Sequence, residues 1–201
     1  MLKILLVRHA QSKFNKIGRM QSQKYDSKLS EKGIKQAKKL AKRLAKYKIN
    51  KIYSSDFKRA YQTAEIIAKS QNLEIIKEKD LREFNWGAFA SREGIRKKWK
   101  EHVEREKAKG KHEYAIRPPN GESIFDLLKR LRRFLNKIRK EKGIIIVVAH
   151  GGPNSAFLNL IRGPIKIPFE KMKQYNTAVN FIEYHKGKWK IKKVNDTKHL
   201  N

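Results

Sequence analysis

Two histidines of the chain each follow a short apolar segment. His9 comes after residues 3–7, and His150 comes after residues 144–149. Apolar segments of this length are typical of buried strands, and ligands of open parallel sheets bind beyond the carboxyl ends of the strands. If the two strands are neighbours, both imidazoles lie at one edge of the sheet. A neutral imidazole there is able to attack phosphorus, which divides the hydrolysis of a phosphate ester into two easier steps.

Two arginines are expected at the same edge. Arg8 precedes His9, and Arg59 lies in the first turn of a helix that follows the predicted strand 51–53. The planar guanidinium group matches the oxygens of a phosphoryl group better than an ammonium group does. Catalysis of phosphoryl transfer consists mainly of positioning and charge stabilisation. We therefore predict a phosphoryl-binding site in which His9 is the nucleophile.

Protonation of the departing alkoxide requires a carboxylic acid. Glu83 is the candidate, because it lies in the loop 81–87 between aromatic residues, and an apolar setting raises the pKa of a carboxyl group. The two glycines after His150 let the main chain approach an anion and direct the amides of the following helix toward it.

Each of these residues also has an ordinary structural interpretation. A loop glutamate is usually solvated, a helix arginine is usually a surface residue, and an Arg-His pair after a strand is not specific by itself. The functional interpretation depends on the combination and on its order along the chain. Cysteine is absent from the sequence, which excludes a thiolate nucleophile, a thiolate metal site and disulfide bonds.

Strand and helix patterns alternate along the chain. Strands are predicted at residues 3–7, 51–53, 74–77 and 144–149, and a hairpin is predicted over residues 178–194. Helices are expected after N-caps at Ser30 and within residues 54–56, and a further amphipathic helix is expected to start at residues 122–123. Ile34 is expected on the apolar face of the first of them. The alternation predicts one domain over residues 1–201 with a three-layer α/β/α fold, in which helices cover both faces of a mostly parallel sheet.

Residues 88–120 interrupt this alternation with a highly charged segment. Between residues 96 and 112 there are eight Lys or Arg residues and three Glu residues. The helical periodicity is weak, so we expect a solvated helix that forms a cap or insertion within the domain. Its cations would favour multiply charged phosphate esters if it covers the substrate.

The net charge of the sequence is strongly positive, at +31 from 50 Lys and Arg against 19 Asp and Glu. A polyanion such as nucleic acid is one interpretation. A lysine-rich solvated surface is favoured over non-specific nucleic-acid binding, because the basic residues are spread through every predicted helix and no nucleic-acid module is present. No apolar stretch approaches the roughly 20 residues of a membrane span, and no signal peptide is recognised, so a cytoplasmic location without membrane contact is expected.

Five ordered motifs resemble those of one protein family. Residues 8–12 together with Asn15 are similar to the signature of the histidine phosphatase superfamily, the phosphoglycerate mutase-like proteins, and the similarity runs along nearly the whole chain. The other motifs are residues 53–64, 81–87, 120–123 and 148–152, and the ending 195–200 resembles phosphatase members of the group.

The resemblance implies a role for each residue of the site. His9 would form a phosphohistidine, and Glu83 would serve as general acid and then as general base. The phosphoryl group would be held by Arg8, Asn15, Arg59, His150 and Gly151. The resemblance also implies a phosphoglycerate mutase-like fold, no cofactor, no metal and a small phosphorylated metabolite as substrate. We expect a monomer or a homodimer.

Phosphatase and mutase chemistry are both found in this superfamily. Glycolytic mutases carry a longer insertion before the Gly-Glu-Ser motif, with paired arginines, whereas here Glu83 and Gly121 are only 38 positions apart with no Arg-Arg pair between them. Hydrolysis of phosphate monoesters is therefore favoured. The alternatives are a phosphoglycerate mutase and a nucleic-acid-binding protein on the same fold. Metal-dependent hydrolysis is disfavoured, since no Asp-x-Asp pair or His-x-x-x-His spacing is present.

Overall fold

The computed structural model of the protein describes residues 1–19, 21–23, 25–90, 95–163 and 173–201. Within these residues, six strands form one sheet: β1 (Leu2–Arg8), β2 (Ile49–Ser54), β3 (Ile75–Lys77), β4 (Gly143–Ala149), β5 (Val179–His185) and β6 (Lys188–Asp196). Their order across the sheet is β3-β2-β4-β1-β5-β6. The first four strands are parallel, and the hairpin β5–β6 extends the sheet in the antiparallel sense. The predicted mostly parallel sheet is confirmed.

Helices cover both faces of the sheet. The described helices are α1 (Lys13–Lys16), α2 (Glu31–Leu44), α3 (Lys58–Gln71), α4 (Ile95–Ala108), α5 (Ile124–Ile138) and α6 (Gly151–Arg162). Along β1, Leu5 and Val7 join the core beneath α2 and α3, while Ile4 and Leu6 join the core beneath α5 and α6. Side chains alternate across a strand, so a doubly covered strand must be apolar on both sides. The predicted three-layer α/β/α architecture is confirmed.

The helix starts agree only in part with the expected N-caps. Ser30 accepts from the Gly33 N–H and caps α2, as expected. The helix predicted to start at residues 122–123 is α5, and Ser123 caps it in a capping box. The N-cap expected within residues 54–56 is wrong, because Phe57 occupies that position and makes no side-chain cap.

The expectation for Ile34 is also wrong. It is 40% exposed, so it lies outside the buried face of α2. The face that α2 buries consists of Gly33, Ala37, Leu40, Ala41 and Leu44.

The charged segment 88–120 contains α4 and two short 3-10 turns, Gly87–Phe89 at its start and Glu113–Ala115 near its end. Residues 91–94 lie outside the described part of the chain. The Trp99 ring of α4 packs edge-on against Trp86, with ring centroids 5.6 Å apart. The expected helix is confirmed, and its action as a cap stays a prediction.

The two edges of the sheet differ in length and in charge. At one edge, β3 has three residues. At the other edge, β6 has nine residues and carries the exposed lysines Lys188, Lys190, Lys192 and Lys193. Among the described helices, none combines the length and the apolar composition that a membrane span requires.

Candidate active site

The two histidines meet because their strands are parallel neighbours in matching register. Arg8 at the end of β1 lies opposite Ala149 at the end of β4, so the next residues, His9 and His150, leave the sheet side by side. The His9 N–H donates to the Ala149 carbonyl over 2.9 Å. The two rings are 5.2 Å apart between centroids and pack edge to face. The predicted meeting of the imidazoles is confirmed.

The environment of His9 leaves one ring nitrogen with a lone pair. Nδ1 lies 2.7 Å from the Ala10 carbonyl, which is only an acceptor, so the proton resides on Nδ1. Nε2 is then unprotonated and accepts a hydrogen bond from Arg59 Nε at 3.2 Å. Burial lowers the pKa of His9 well below its ordinary value, and the charges of Arg59 and Arg8 lower this pKa further. His9 is therefore neutral near pH 7, and its lone pair is on Nε2, as the predicted nucleophilic role requires.

Arg59 is fully buried and is held by a carboxylate that the sequence motifs did not indicate. Asp26 Oδ1 accepts from Arg59 Nη1 at 2.6 Å, and its second oxygen accepts from the N–H of Lys58 at the start of α3. This carboxylate stabilises the helix N-terminus and fixes the rotation of the guanidinium group at once. With Nη1 on Asp26 and Nε on His9, the nitrogen that remains is Nη2.

Three buried nitrogens around His9 have no hydrogen-bond partner among the described residues: Arg8 Nε, Arg59 Nη2 and His150 Nδ1. Buried polar groups are nearly always hydrogen-bonded, so such a cluster indicates a binding site. Arg8 is fixed by a bond from Nη1 to the Gln174 carbonyl at 2.6 Å, and His150 Nε2 lies 2.9 Å from the Ser55 hydroxyl. When Ser55 donates to Nε2, Nδ1 of His150 carries the proton. All three nitrogens are then hydrogen-bond donors, which is the chemistry that the terminal oxygens of a phosphoryl group require.

His150 is electrically neutral as well. Burial lowers the pKa of His150 well below its ordinary value, and the nearby charge of Arg59 adds to the effect. The positive charge around His9 therefore comes from the guanidinium groups of Arg8 and Arg59.

Glu83 lies next to the start of α6. Its Oε1 accepts from the Phe84 N–H at 2.9 Å. Burial raises the pKa of Glu83, while the charges of Arg59, Arg8 and Arg130 act in the opposite direction. A raised pKa keeps part of the carboxyl population protonated, as a general acid requires.

The loop that carries Glu83 is clamped to α5. Arg130 forms two bonds to the Glu122 carboxylate, at 2.8 and 3.0 Å, and also donates to the Asp80 and Glu83 carbonyls. Glu122 in turn accepts from the Asn85 N–H at 2.8 Å. The motif at residues 120–123 therefore has a structural basis: its glutamate holds the acid loop, and its serine caps α5.

Asn15 and Gly151 lie beside the pocket. Asn15 Oδ1 accepts from the Ser12 N–H at 3.2 Å and lies 3.5 Å from Asn176 Nδ2, which donates to the His9 carbonyl at 2.9 Å. A Cβ placed on Gly151 would lie 3.7 Å from Arg8 Nε, so the main chain of α6 passes close to this guanidinium. The structure thus brings all the predicted site residues to one edge of the sheet, and their individual roles stay predictions.

A chain of hydrogen bonds from the C-terminal segment reaches the main chain at His9. Arg43 donates to Asp196 at 2.9 Å and to His199 Nδ1 at 3.3 Å. His199 Nε2 lies 2.9 Å from the hydroxyl of Thr177, whose backbone adopts a left-handed φ of 57°. The Thr177 hydroxyl donates to the carbonyl of Asn176, the residue that holds His9.

Three supports of the site were missed at the sequence level: Asp26, Arg130 and the C-terminal chain through His199. Residues 195–200 were noticed as a motif, but nothing in their pattern indicates contact with Thr177. Asp26 and Arg130 carry no distinguishing signal, since each resembles an ordinary surface charge. Among the described residues, no group of three or more His, Asp or Glu side chains is placed to hold a metal ion.

Comparison with known proteins gives the family. The sequence profile of the histidine phosphatase superfamily (branch 1) matches residues 4–197. Phosphoserine phosphatase 1 of Hydrogenobacter thermophilus is 34% identical over 204 residues, covering 100% of this chain and 95% of that protein. "Probable phosphoglycerate mutase GpmB" of Proteus mirabilis is 30% identical over 208 residues, covering 100% of this chain and 95% of that protein. Among solved structures, YhfR of Bacillus stearothermophilus has a TM-score of 0.85 at 26% identity, covering 100% of both chains.

His9, Arg59 and His150 meet beyond the carboxyl ends of the parallel strands of a mostly parallel sheet. This site on a phosphoglycerate mutase-like fold defines a phosphoryl-transfer enzyme. The chain belongs to the histidine phosphatase superfamily, branch 1. The family and fold class expected from the motifs are confirmed, and the expected phosphatase function agrees with the family and with the first of these relatives.

Proposed function

We propose that the protein hydrolyses small phosphate monoesters by way of a phosphohistidine on His9 Nε2. The observation that supports this most directly is the neutral Nε2 lone pair beside three buried nitrogens without partners. Two guanidinium nitrogens and one imidazole nitrogen match the three terminal oxygens of a phosphoryl group.

In the first step, His9 Nε2 attacks phosphorus and the bond between phosphorus and the ester oxygen breaks. The proton of the Glu83 carboxyl passes to the leaving oxygen, so the product departs as an alcohol. Arg8 Nε, Arg59 Nη2 and His150 Nδ1 donate to the phosphoryl oxygens as negative charge spreads over them. The hydrogen bond from Arg59 Nε to Nε2 is released when the phosphorus takes that position, while Asp26 keeps hold of Nη1.

In the second step, the Glu83 carboxylate takes a proton from water, and the oxygen of that water attacks the phosphohistidine. The bond between phosphorus and Nε2 breaks, and inorganic phosphate leaves. The acid is restored together with neutral His9, so one carboxyl group serves as acid and as base in turn. No step requires a metal.

The substrate is a small phosphorylated metabolite, and phosphoserine is the first compound to test. A relative that aligns along the whole chain is named as a phosphoserine phosphatase. Water is the favoured acceptor, because the short distance in sequence between Glu83 and Gly121 leaves no room for the larger insertion of the mutases. The charged segment 88–120 would cover the substrate and favour multiply charged esters. Reversing several of its charges should therefore change the relative rates for mono- and bisphosphates.

The test is a panel of phosphate esters assayed with EDTA, in the native protein and in His9→Ala. We expect phosphate release from the native protein and a loss of at least about 10,000-fold in His9→Ala, since the nucleophile is absent. Rapid quenching should trap an acid-labile phosphoryl group on the native protein. His185→Ala, which changes an exposed histidine of β5, is the matched control. Full activity of His9→Ala would refute the mechanism, and conversion of one phosphoglycerate to its isomer without phosphate release would indicate a mutase.

A further inference from the structure

Gly152, the second residue of α6, is in contact with the end of the Glu83 side chain. A Cβ placed on Gly152 would lie 2.8 Å from Glu83 Oε1, closer than such atoms approach in proteins. The backbone of Gly152 is not in the left-handed region, so an alanine would fit its conformation. The conflict is therefore between a side chain at this position and the carboxyl group of the acid.

The preceding glycine differs. At Gly151 the nearest neighbour of an added Cβ is Arg8 Nε at 3.7 Å, which is an ordinary van der Waals contact. Both glycines belong to the same turn, and the motif alone suggests that both allow an anion to approach. In the structure, the Glu83 carboxyl lies close to Gly152, and the Arg8 guanidinium lies close to Gly151.

If Gly152 carried a side chain, the Glu83 carboxyl group would move, and the main chain around it would not. The backbone of the acid loop is held by Arg130 and Glu122, and the start of α6 follows directly from the strand that carries His150. The Glu83 carboxyl is the far end of a flexible side chain. An added methyl group would displace it at the cost of its hydrogen bond from the Phe84 N–H and would leave the main chain in place. A displacement of about 1 Å at a reacting group is able to lower a rate by about 100-fold.

We infer that Gly152 is a positioning residue for the general acid. The absence of a side chain there places the Glu83 carboxyl at the leaving oxygen and thereby determines which esters the enzyme cleaves. Alkyl esters depend on this proton, because an unprotonated alkoxide is a poor leaving group. An ester of an acidic phenol does not, because a stabilised phenolate leaves as the anion. This inference rests on the proposed role of Glu83.

The experiment compares kcat/KM for two esters, the best alkyl substrate of the panel and p-nitrophenyl phosphate. This ratio reports the steps up to release of the alcohol, so the later hydrolysis of the phosphohistidine does not enter it. In Gly152→Ala we expect a fall of about 30- to 100-fold for the alkyl ester and a fall of at most about 3-fold for the aryl ester. In Gly151→Ala any loss should be the same for both esters, because Arg8 contacts the phosphoryl group common to them.

Glu83→Gln separates this inference from the proposed function. It should show the same selective loss on the alkyl ester, and adding Gly152→Ala to it should cause no further selective loss, because both changes act on one group. If Glu83→Gln reduces both esters equally, the proposed acid is wrong. If Glu83→Gln is selective but Gly152→Ala is not, Gly152 has no positioning role. The aryl ester is the internal check that each variant is folded.

Discussion

His9 and Glu83 are anchored by different parts of the chain. The main chain of His9 is held at the end of two paired strands, by the Ala149 carbonyl on one side and by the Thr177 N–H and the Asn176 side-chain amide on the other, while its ring is held by Arg59. Glu83 lies on a loop outside the sheet, and the main chain of that loop is held by the side chains of Arg130 and Glu122. Its carboxyl group accepts from the Phe84 N–H and lies close to Gly152.

Because of this difference, a single substitution should affect the position of His9 and the position of Glu83 differently. Main-chain hydrogen bonds between strands are insensitive to side-chain identity, so the main chain of His9 should stay in place through many sequence changes. The acid depends on particular side chains, so its position is easily altered. On the proposed mechanism, we therefore expect the transfer of phosphate to His9 to tolerate more substitutions than the choice of leaving group, which depends on the loop of Glu83.

The largest effect on stability is expected from breaking the clamp on the loop of Glu83. Arg130→Met leaves the Glu122 carboxylate buried without its partner, since both side chains are nearly buried, at 10% and 13% exposure. The unfolding free energy should fall by about 3 kcal/mol, and kcat/KM for alkyl esters should fall about 10-fold more than for aryl esters. Denaturant titration and the two-ester assay measure these effects.

The control for that clamp is on the same helix. Arg133→Met removes an exposed pair with Asp80, in which the arginine is 59% exposed. Surface pairs contribute less than about 1 kcal/mol, so little change is expected. If Arg130→Met and Arg133→Met lower the unfolding free energy and kcat/KM equally, then α5 as a whole, and not the Arg130 clamp, supports Glu83.

The pH dependence of kcat/KM should show the next effect in size, a fall at high pH that is confined to alkyl esters. Burial raises the pKa of Glu83, and the reaction of an alkyl ester needs the protonated form. The rate for this ester should therefore fall as the pH rises through that pKa, whereas the aryl ester should lack this fall. Glu83→Gln should remove the alkaline decrease. A decrease of equal size for both esters would assign it to another group.

The smallest effect is expected from the C-terminal chain of hydrogen bonds. His199→Leu removes the donor to Thr177, and activity should fall only about 2- to 5-fold, because main-chain bonds still hold His9. A loss as large as that of Arg130→Met would remove the distinction between the two anchors. His185→Leu in the exposed hairpin is the control.

The stability of this variant should also depend less on pH. Burial, together with the charge of Arg43, lowers the pKa of His199 from 6.5 to about 4 in the folded protein. The unfolded chain then binds more protons between these values, so stability is full above pH 6.5 and decreases as the pH falls toward 4. Urea titrations of the native protein and of His199→Leu between pH 7 and pH 4 should diverge in this direction.

The fold and the centre of the site were predictable because they depend on local patterns. The apolar segments before His9 and His150 identify strands that are buried on both faces, and the sheet rule then places both histidines at one edge. The helix cap at Ser30 follows from local chemistry in the same way. The cap expected within residues 54–56 failed because Asp26, from a distant loop, supplies a carboxylate at the same helix end.

The supports of the site were not predictable, because they join residues far apart in sequence. Asp26 and Arg59 are 33 positions apart, and Arg130 reaches the Glu83 carbonyl across 47. Gly152 belongs to a recognised motif, yet its neighbour is a carboxyl group and not only an anionic ligand. Sequence patterns identify the residue types that perform the chemistry, whereas their spacing to about 1 Å depends on tertiary contacts.

The two edge strands, β3 and β6, differ in length, and the lysines on the longer one have a consequence that is independent of catalysis. An exposed edge strand offers unpaired amides and carbonyls to any other strand, which is a common route to aggregation. At β3 the edge is too short, at three residues, to pair stably with another chain. At β6 four exposed lysines occupy nine residues, and two copies of this edge would repel each other. The lysines of β6 should therefore disfavour edge-to-edge pairing of two copies, an effect that requires no nucleic-acid partner.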